Sequence, residues 1–368
     1  MSVASHHIVV IRSQDRFWYK TMFVESFKDP WIRDVYDLFR NRPVFICHDT
    51  GLPREPLERI IEDIGEVSHR SPVICPTEGG EAAKSLENAV RIIKVMEDSN
   101  LKRDALAVAV GGGSIGDVTG FAASIWNRGI AWCVFPTTLL SQSDSAIGGK
   151  VGVNLHGIKN RIGTLHQPVG VICMLEWLDS LPDEEFRSGM GEIIKYGLGI
   201  DAYLWDTLEK NPAAILRRDR HLLRMVVHRC IVLKSWYVSV DEHDRGIRHV
   251  LNLGHTFGHA LETACPDLKH GDAVALGLIA ATRLAIALKE ASPSLESSLV
   301  EMLNTFGFRT DISIESTESA VRALRVDKKH RTGEYTIILP VDAGRSIIRR
   351  DIPFTLIRES LESLCRPA

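Results

Sequence analysis

At 368 residues the chain exceeds the length at which one hydrophobic core is usual, and two domains are the natural expectation. Apolar residues at 45% and charged residues at 25% exclude a disordered chain, while 44 basic against 47 acidic side chains leave a net charge of -3 and exclude a general nucleic-acid surface. Seven scattered cysteines without C-x-x-C spacing imply neither a disulfide framework nor a structural zinc site, and no apolar run approaches the roughly 20 residues of a membrane span, so a reducing cytoplasm is the expected compartment.

Short β-branched runs alternate with helical stretches over the first 175 residues: Val44 to Cys47, Val73 to Cys75, Leu106 to Val110, Trp132 to Phe135 and Val169 to Cys173. This alternation predicts a mainly parallel sheet covered by helices. From about Pro182 the periodicity turns helical, as in Leu222 to Val227 and Ala273 to Lys289, with a late β run at Tyr335 to Pro340. The expected class is α/β plus α, with an α/β domain over residues 1–178 and a mainly helical domain over 179–368.

Gly111, Gly113 and Gly116 fit G-x-G-x-x-G between an apolar run and a helical stretch. There, glycine lets the backbone approach a pyrophosphate and a helix N-terminus offers N–H donors, which makes the first domain a candidate Rossmann-like dinucleotide site. No Gly-Lys-Ser/Thr follows, so a Walker A loop is excluded. Asp49 closes an earlier strand and reads either as a ribose ligand or as a turn residue before Gly51.

In the second domain Glu192, His255 and His270 offer two imidazoles and one carboxylate, a donor set that leaves coordination positions open for substrate. His255 and His259 are spaced to pair on one helix, but H-T-F-G-H lacks the glutamate of H-E-x-x-H and gives proteolysis no support. Basic residues recur beside small or amide residues: Arg128, Lys150, Lys159-Asn160, Lys195, Lys234, Arg248 and Lys328-Lys329. A substrate carrying phosphate and carboxylate needs several such donors. Any one of these lysines reads better as solvated surface, whereas Lys150 after two glycines and Lys159-Asn160 read as ligand-facing loops.

Taken in order, Glu81-Ala-Ala-Lys-Ser85, GGGSIGDVTGFAAS, Arg128-Gly129, Pro136-Thr-Thr, Asp144-Ser145, GGKVGVN, KNRIG, SGMGEIIKYG, DEHDRGIRHVLNLGHTFGHALE, HGDAVALG and Asp327-Lys-Lys329 resemble the 3-dehydroquinate synthase family. The resemblance implies that Glu192, His255 and His270 hold a zinc or cobalt ion. It implies NAD contacts from Asp49, Glu81, Lys84, Gly113, Ser114, Gly116, Asp117, Thr137, Thr138, Asp144, Lys159 and Ser180. Around a phosphorylated sugar acid it implies Lys150, Asn160, Lys195, Lys234, Arg248, Asn252, His259 and Lys328 or Lys329, with Arg128 reaching a neighbouring subunit's site in a homodimer. The implied reaction oxidises a ring hydroxyl transiently, expels phosphate, returns the hydride and closes a carbocycle.

Departures from the expected pattern are Ala146, Met174, Glu184, Gly191 and Asp244. The stretch Tyr19 to Pro30 resembles cyclases of sedoheptulose 7-phosphate instead, which keeps that substrate, or an amino analogue, as an alternative. A metal-dependent alcohol dehydrogenase and a catalytically silent homologue are further readings. Neither accounts for the phosphate-binding strings and the complete ligand set together.

Overall fold

The computed structural model describes residues 8–13, 16–24, 35, 37–328 and 335–365. The chain forms two compact units, one from residues 1–182 and 231–243 and the other from 183–230 and 244–368.

The first unit contains β1 (Ile8–Ser13), β2 (Arg16–Val24), β3 (Val44–Asp49), α1 (Arg54–Ser68), β4 (Val73–Thr77), α2 (Leu86–Asp98), β5 (Leu106–Gly111), α3 (Gly113–Ile125), β6 (Ala131–Pro136), β7 (Lys150–Leu155), β8 (Ile158–Leu165) and β9 (Gly170–Met174). Seven of these strands form one sheet in the order β1-β2-β9-β6-β5-β3-β4, parallel throughout except for the β1/β2 pair. Strand β5 is buried at every position, as an inner strand covered on both faces must be, which is why it reads as an uninterrupted apolar run. Helix α1 buries Leu57, Ile60 and Ile64, the three- and four-residue spacing of one helical face. Nearby in the core, Phe39 stacks on Phe135 at 6.4 Å. Helix α2 begins where Ser85 Oγ accepts the Asn88 N–H at 3.1 Å.

The five β runs legible in the first 175 residues form parallel strands, and the late run at Tyr335 to Pro340 supplies β10 (Ile337–Asp342), antiparallel to the strand that follows it. The hairpin of β7 and β8 replaces the ligand-facing loops expected at Lys150 and Lys159-Asn160. It turns through His156 and Gly157, at φ 50° and 77°, the two-residue geometry that matches strand twist.

The second unit contains α4 (Asp183–Ile200), α5 (Ala202–Lys210), α6 (Pro212–Leu216), the first half of α7 (Arg220–Val240), α8 (His255–Ala264), α9 (His270–Ala287), α10 (Pro293–Thr305), α11 (Ile314–Lys328), β10 (Ile337–Asp342), β11 (Arg345–Arg349) and α12 (Phe354–Glu362). Helix α9 is apolar enough to cross a membrane by composition, but 78% of it is buried within the protein, as suits a core helix. Its first turn packs backbone to backbone on α4. A Cβ at Gly191 would lie 2.7 Å from the Gly271 carbonyl oxygen, and a Cβ at Gly271 would lie 2.3 Å from that of Ser188.

Candidate active site

The close approach of α4 and α9 determines where the acidic and imidazole groups meet. Ser188 and Glu192 are one turn apart on α4 and share a face. Ser188 Oγ accepts the Gly271 N–H at 3.1 Å and so satisfies an N-terminal donor of α9. Glu192, one turn on and fully buried, receives His270 Nε2 on Oε1 at 3.0 Å. His255 enters from the start of α8, after Gly254 at φ 78°, a left-handed conformation that suits glycine. Its Nε2 lies 3.3 Å from the same Oε1. One ligand atom from each of the three residues falls within 4.8 Å of the other two.

The hydrogen bonds behind this cluster orient its lone pairs. His255 Nδ1 faces the Leu253 carbonyl oxygen at 3.2 Å and His270 Nδ1 faces Glu262 Oε1 at 3.2 Å. With Nδ1 donating, each Nε2 is the nitrogen that a cation would take, on His270 by displacing the proton shared with Glu192. Burial alone would raise the Glu192 carboxyl, but Lys195, whose ammonium pairs with Oε2, and the two imidazoles hold it well below its ordinary range. Burial pushes the His270 imidazole down, yet Glu192 and Glu262 hold it up at about 10. Two borderline nitrogen donors and a carboxylate oxygen suit a zinc-type ion, so the donor chemistry fits.

In the first unit, α3 begins at Gly112 without a side-chain cap, leaving its first-turn N–H groups without that internal partner. A Cβ at Gly113 would meet Ser145 Oγ at 2.7 Å, whereas one at Gly116 would make only an ordinary contact, 3.8 Å to Val134. A side chain at the second glycine of the motif would therefore force the Ser145 hydroxyl to move, whereas one at the third would not. Gly112, Gly113, Gly116, Asp117 and Lys150 help to line one small pocket.

Around this loop Lys84 Nζ reaches Asp117 Oδ2 at 2.8 Å and donates to Asn160 Oδ1. Asn160, at φ 52°, also donates its backbone N–H to Asn154 Oδ1 at 2.8 Å, and Asn154 Nδ2 donates to Glu81 Oε1 at 2.8 Å. Lys84 thus joins Asp117 to Asn160, and Asn154 joins Asn160 to Glu81. Burial raises the Asp117 carboxyl against the opposing pull of Lys84. Asp49 accepts the Gly51 N–H on Oδ1 at 2.9 Å, a turn contact that a ribose ligand can also make. Its Oδ2 packs where a Cβ on Gly79 would stand, only 2.0 Å away.

Lys234 Nζ pairs with Asp144 Oδ1 at 2.7 Å and donates to the Asp144 carbonyl at 2.8 Å. A protein carboxylate therefore satisfies one of the cations expected to face substrate. Thr137 is buried, and Thr138 Oγ1 bonds Ser141 Oγ at 2.9 Å where a short π-helical turn follows β6. Ser114 lies in the first turn of α3, Ser180 is exposed after β9, and Lys150, Lys159 and Arg128 are exposed. In the second unit Arg248 is buried, Asn252 and His259 are exposed, and His259 sets its ring edge to face with His255 at 5.2 Å. Lys329 falls outside the described residues.

Sequence reasoning missed Glu262 and Asn154. Glu262 follows His255 by seven residues, two turns along one helical face, and that spacing is a usable signal. Asn154 closes the GGKVGVN string, but its contact with Asn160 depends on the hairpin.

A family model of the 3-dehydroquinate synthase N-terminal region matches residues 74–188, and one of the C-terminal region matches residues 189–330. The chain belongs to the 3-dehydroquinate synthase family. The sequence resemblance is thereby borne out, and the independent alcohol dehydrogenase reading falls. A 3-dehydroquinate synthase of Alkaliphilus oremlandii is 41% identical over 332 residues, covering 90% of each chain. A crystal structure of 2-deoxy-scyllo-inosose synthase with carbaglucose-6-phosphate, NAD+ and Co2+ superposes with TM-score 0.84 at 26% identity, over 97% of this chain and 99% of that one. The 2-epi-5-epi-valiolone synthase of Streptomyces hygroscopicus, solved with NAD+ and Zn2+, gives TM-score 0.84 at 23% identity over 96% and 98%, a likeness of fold. The architecture is that of the family: a Rossmann-like α/β unit and a mainly helical unit.

Proposed function

We propose that this protein converts 3-deoxy-D-arabino-heptulosonate 7-phosphate into 3-dehydroquinate and phosphate, with NAD and one divalent ion as resident groups. The observation that carries the reading is the convergence of two oriented imidazoles on one buried carboxylate oxygen, in a chain 41% identical to a 3-dehydroquinate synthase. When bound, NAD supplies a hydride acceptor that returns what it takes, and the ion held by Glu192, His255 and His270 supplies Lewis acidity to a substrate oxygen.

The remaining work falls to the chain's own side chains. The uncapped start of α3, with Gly113, Ser114 and Gly116, receives the pyrophosphate, and Asp49, Glu81, Lys84, Asp117, Thr137, Thr138, Asp144, Lys159 and Ser180 hold the rest of the dinucleotide. Lys195 and Arg248 donate charge-assisted hydrogen bonds to the substrate's anionic groups, joined by Lys150, Asn160, Lys234 and Lys329. Asn252 and His259 orient its hydroxyls. The carbon-bound proton leaves to the substrate's own phosphate as that group departs, and the donors around it stabilise the developing charge. Because the hydride is returned, the net change is a carbon-oxygen lyase step.

Lys234 already has Asp144, so its presence alone does not demand a substrate carboxylate, and the preference for the heptulosonate rests on family identity and on buried Arg248. A cytoplasmic homodimer belongs to the same reading: all seven cysteines are free thiols, as a reducing compartment requires, and exposed Arg128 is assigned to the partner's site.

Phosphate release is the test, with metal-loaded protein and NAD offered 3-deoxy-D-arabino-heptulosonate 7-phosphate and sedoheptulose 7-phosphate in parallel while NADH absorbance is followed. Release from the first without net NADH is expected. Release only from the second would move the activity to the valiolone-forming cyclases, and release from neither would sink both assignments.

A further inference from the structure

The two imidazoles of the cluster are held by different kinds of acceptor. His255 Nδ1 meets a neutral backbone carbonyl, that of Leu253, whereas His270 Nδ1 meets the carboxylate of Glu262, whose side chain is only 6% exposed. A carboxylate behind an imidazole fixes the tautomer, fixes the ring plane and makes the far nitrogen a stronger donor. Charge gives the second argument. The Glu192 carboxylate points Oε1 at both histidines but spends Oε2 on the Lys195 ammonium, so one positive charge already offsets the cluster's own carboxylate. A divalent ion arriving there meets a pair that is neutral in sum, and Glu262 brings a further negative charge within one imidazole's width.

We propose that Glu262 is a positioning residue for the ion: it aims His270 Nε2 at the Glu192 oxygen and supplies the negative charge that Lys195 cancels. It touches neither substrate nor ion. The inference rests on the metal-site reading above and deepens it, because it predicts that the two histidines contribute unequally and that their inequality originates at residue 262.

The experiment titrates metal-free wild type, Glu262→Ala, Glu262→Gln and His255→Ala with Co2+, reading affinity by competition with a chromophoric chelator and ligand geometry by the visible Co2+ absorption. NAD binding and thermal unfolding of the metal-free proteins report on the fold. Wild type is expected to take up one ion and His255→Ala to lose it. Glu262→Ala is expected to bind about 10- to 100-fold more weakly with an altered spectrum. Glu262→Gln keeps an acceptor for Nδ1 but not the charge, and falls between them; being nearly isosteric, it also carries the test if the alanine variant does not fold. Wild-type spectra together with affinities within about twofold for both Glu262 variants would overturn the inference while leaving the metal site standing. A wild type that binds no ion would overturn the metal-site reading itself, and the inference with it.

Discussion

Gly191→Ala tests whether the contact between α4 and α9 sets the geometry of the site. The new methyl carbon would stand 2.7 Å from the Gly271 carbonyl oxygen and 3.0 Å from its Cα, both backbone atoms that no rotamer change can move. The helices must therefore part by a few tenths of an ångström, between the carriers of Glu192 and His270. Alanine gains about 0.5–1 kcal/mol over glycine inside a helix, while overpacking costs about 1–3 kcal/mol, so the net loss is about 1 kcal/mol and the unfolding midpoint falls by about 2–4 °C. Binding geometry is the more sensitive readout, because sites of this kind tolerate only about 0.5 Å of displacement, and Zn2+ affinity is expected to fall roughly tenfold. The assay is chelator competition beside thermal unfolding of the metal-free protein. A variant that melts higher than wild type and binds Zn2+ equally well would refute the reasoning, since helix propensity would then be the only effect left.

Lys195→Met leaves the Glu192 carboxylate buried without its ammonium, so the metal-free protein should lose on the order of 3 kcal/mol, and added Zn2+ should restore much of the lost midpoint in a thermal melt. For Lys234 and Asp144, with side chains 10% and 19% exposed, a double-mutant cycle of Lys234→Met and Asp144→Asn in denaturant should give a coupling of about 1–2 kcal/mol; additive losses would mean that the pair is not formed in solution. If Arg128 serves the partner's site, mixing and reassembling inactive Arg128→Ala and His255→Ala proteins should recover about a quarter of wild-type phosphate release, because half of the dimers are mixed and each has one intact site. No recovery despite subunit exchange would confine Arg128 to its own subunit or to the surface.

The parallel strands were legible because burial on both faces writes each as a short apolar run, as Leu106 to Val110 shows. The metal cluster was legible by residue type but not by distance, since Glu192, His255 and His270 come from three helices and meet through glycine contacts that spacing cannot reveal. The β7/β8 hairpin was hidden because His156-Gly157 is a weak turn signal and the strands are rich in glycine and polar residues. Strand β2 was missed although Phe17, Tyr19, Thr21 and Phe23 alternate; it pairs with the adjacent β1 as well as with β9, which lies far along the chain. The role of Leu253 could not be read at all: a backbone carbonyl carries no side-chain signature.

The sheet order has a consequence for synthesis. Strands β3 to β6 can pair as they leave the ribosome, but the open edge of β6 belongs to β9, and β2 can join only after β9 has done so. The nascent chain therefore carries an uncovered apolar edge through the whole β7/β8 hairpin, for a few seconds at about 5–20 residues per second, with its first two strands waiting. A chain stopped before residue 170 would keep that edge permanently, which makes truncated product, rather than the finished enzyme, the species prone to aggregate.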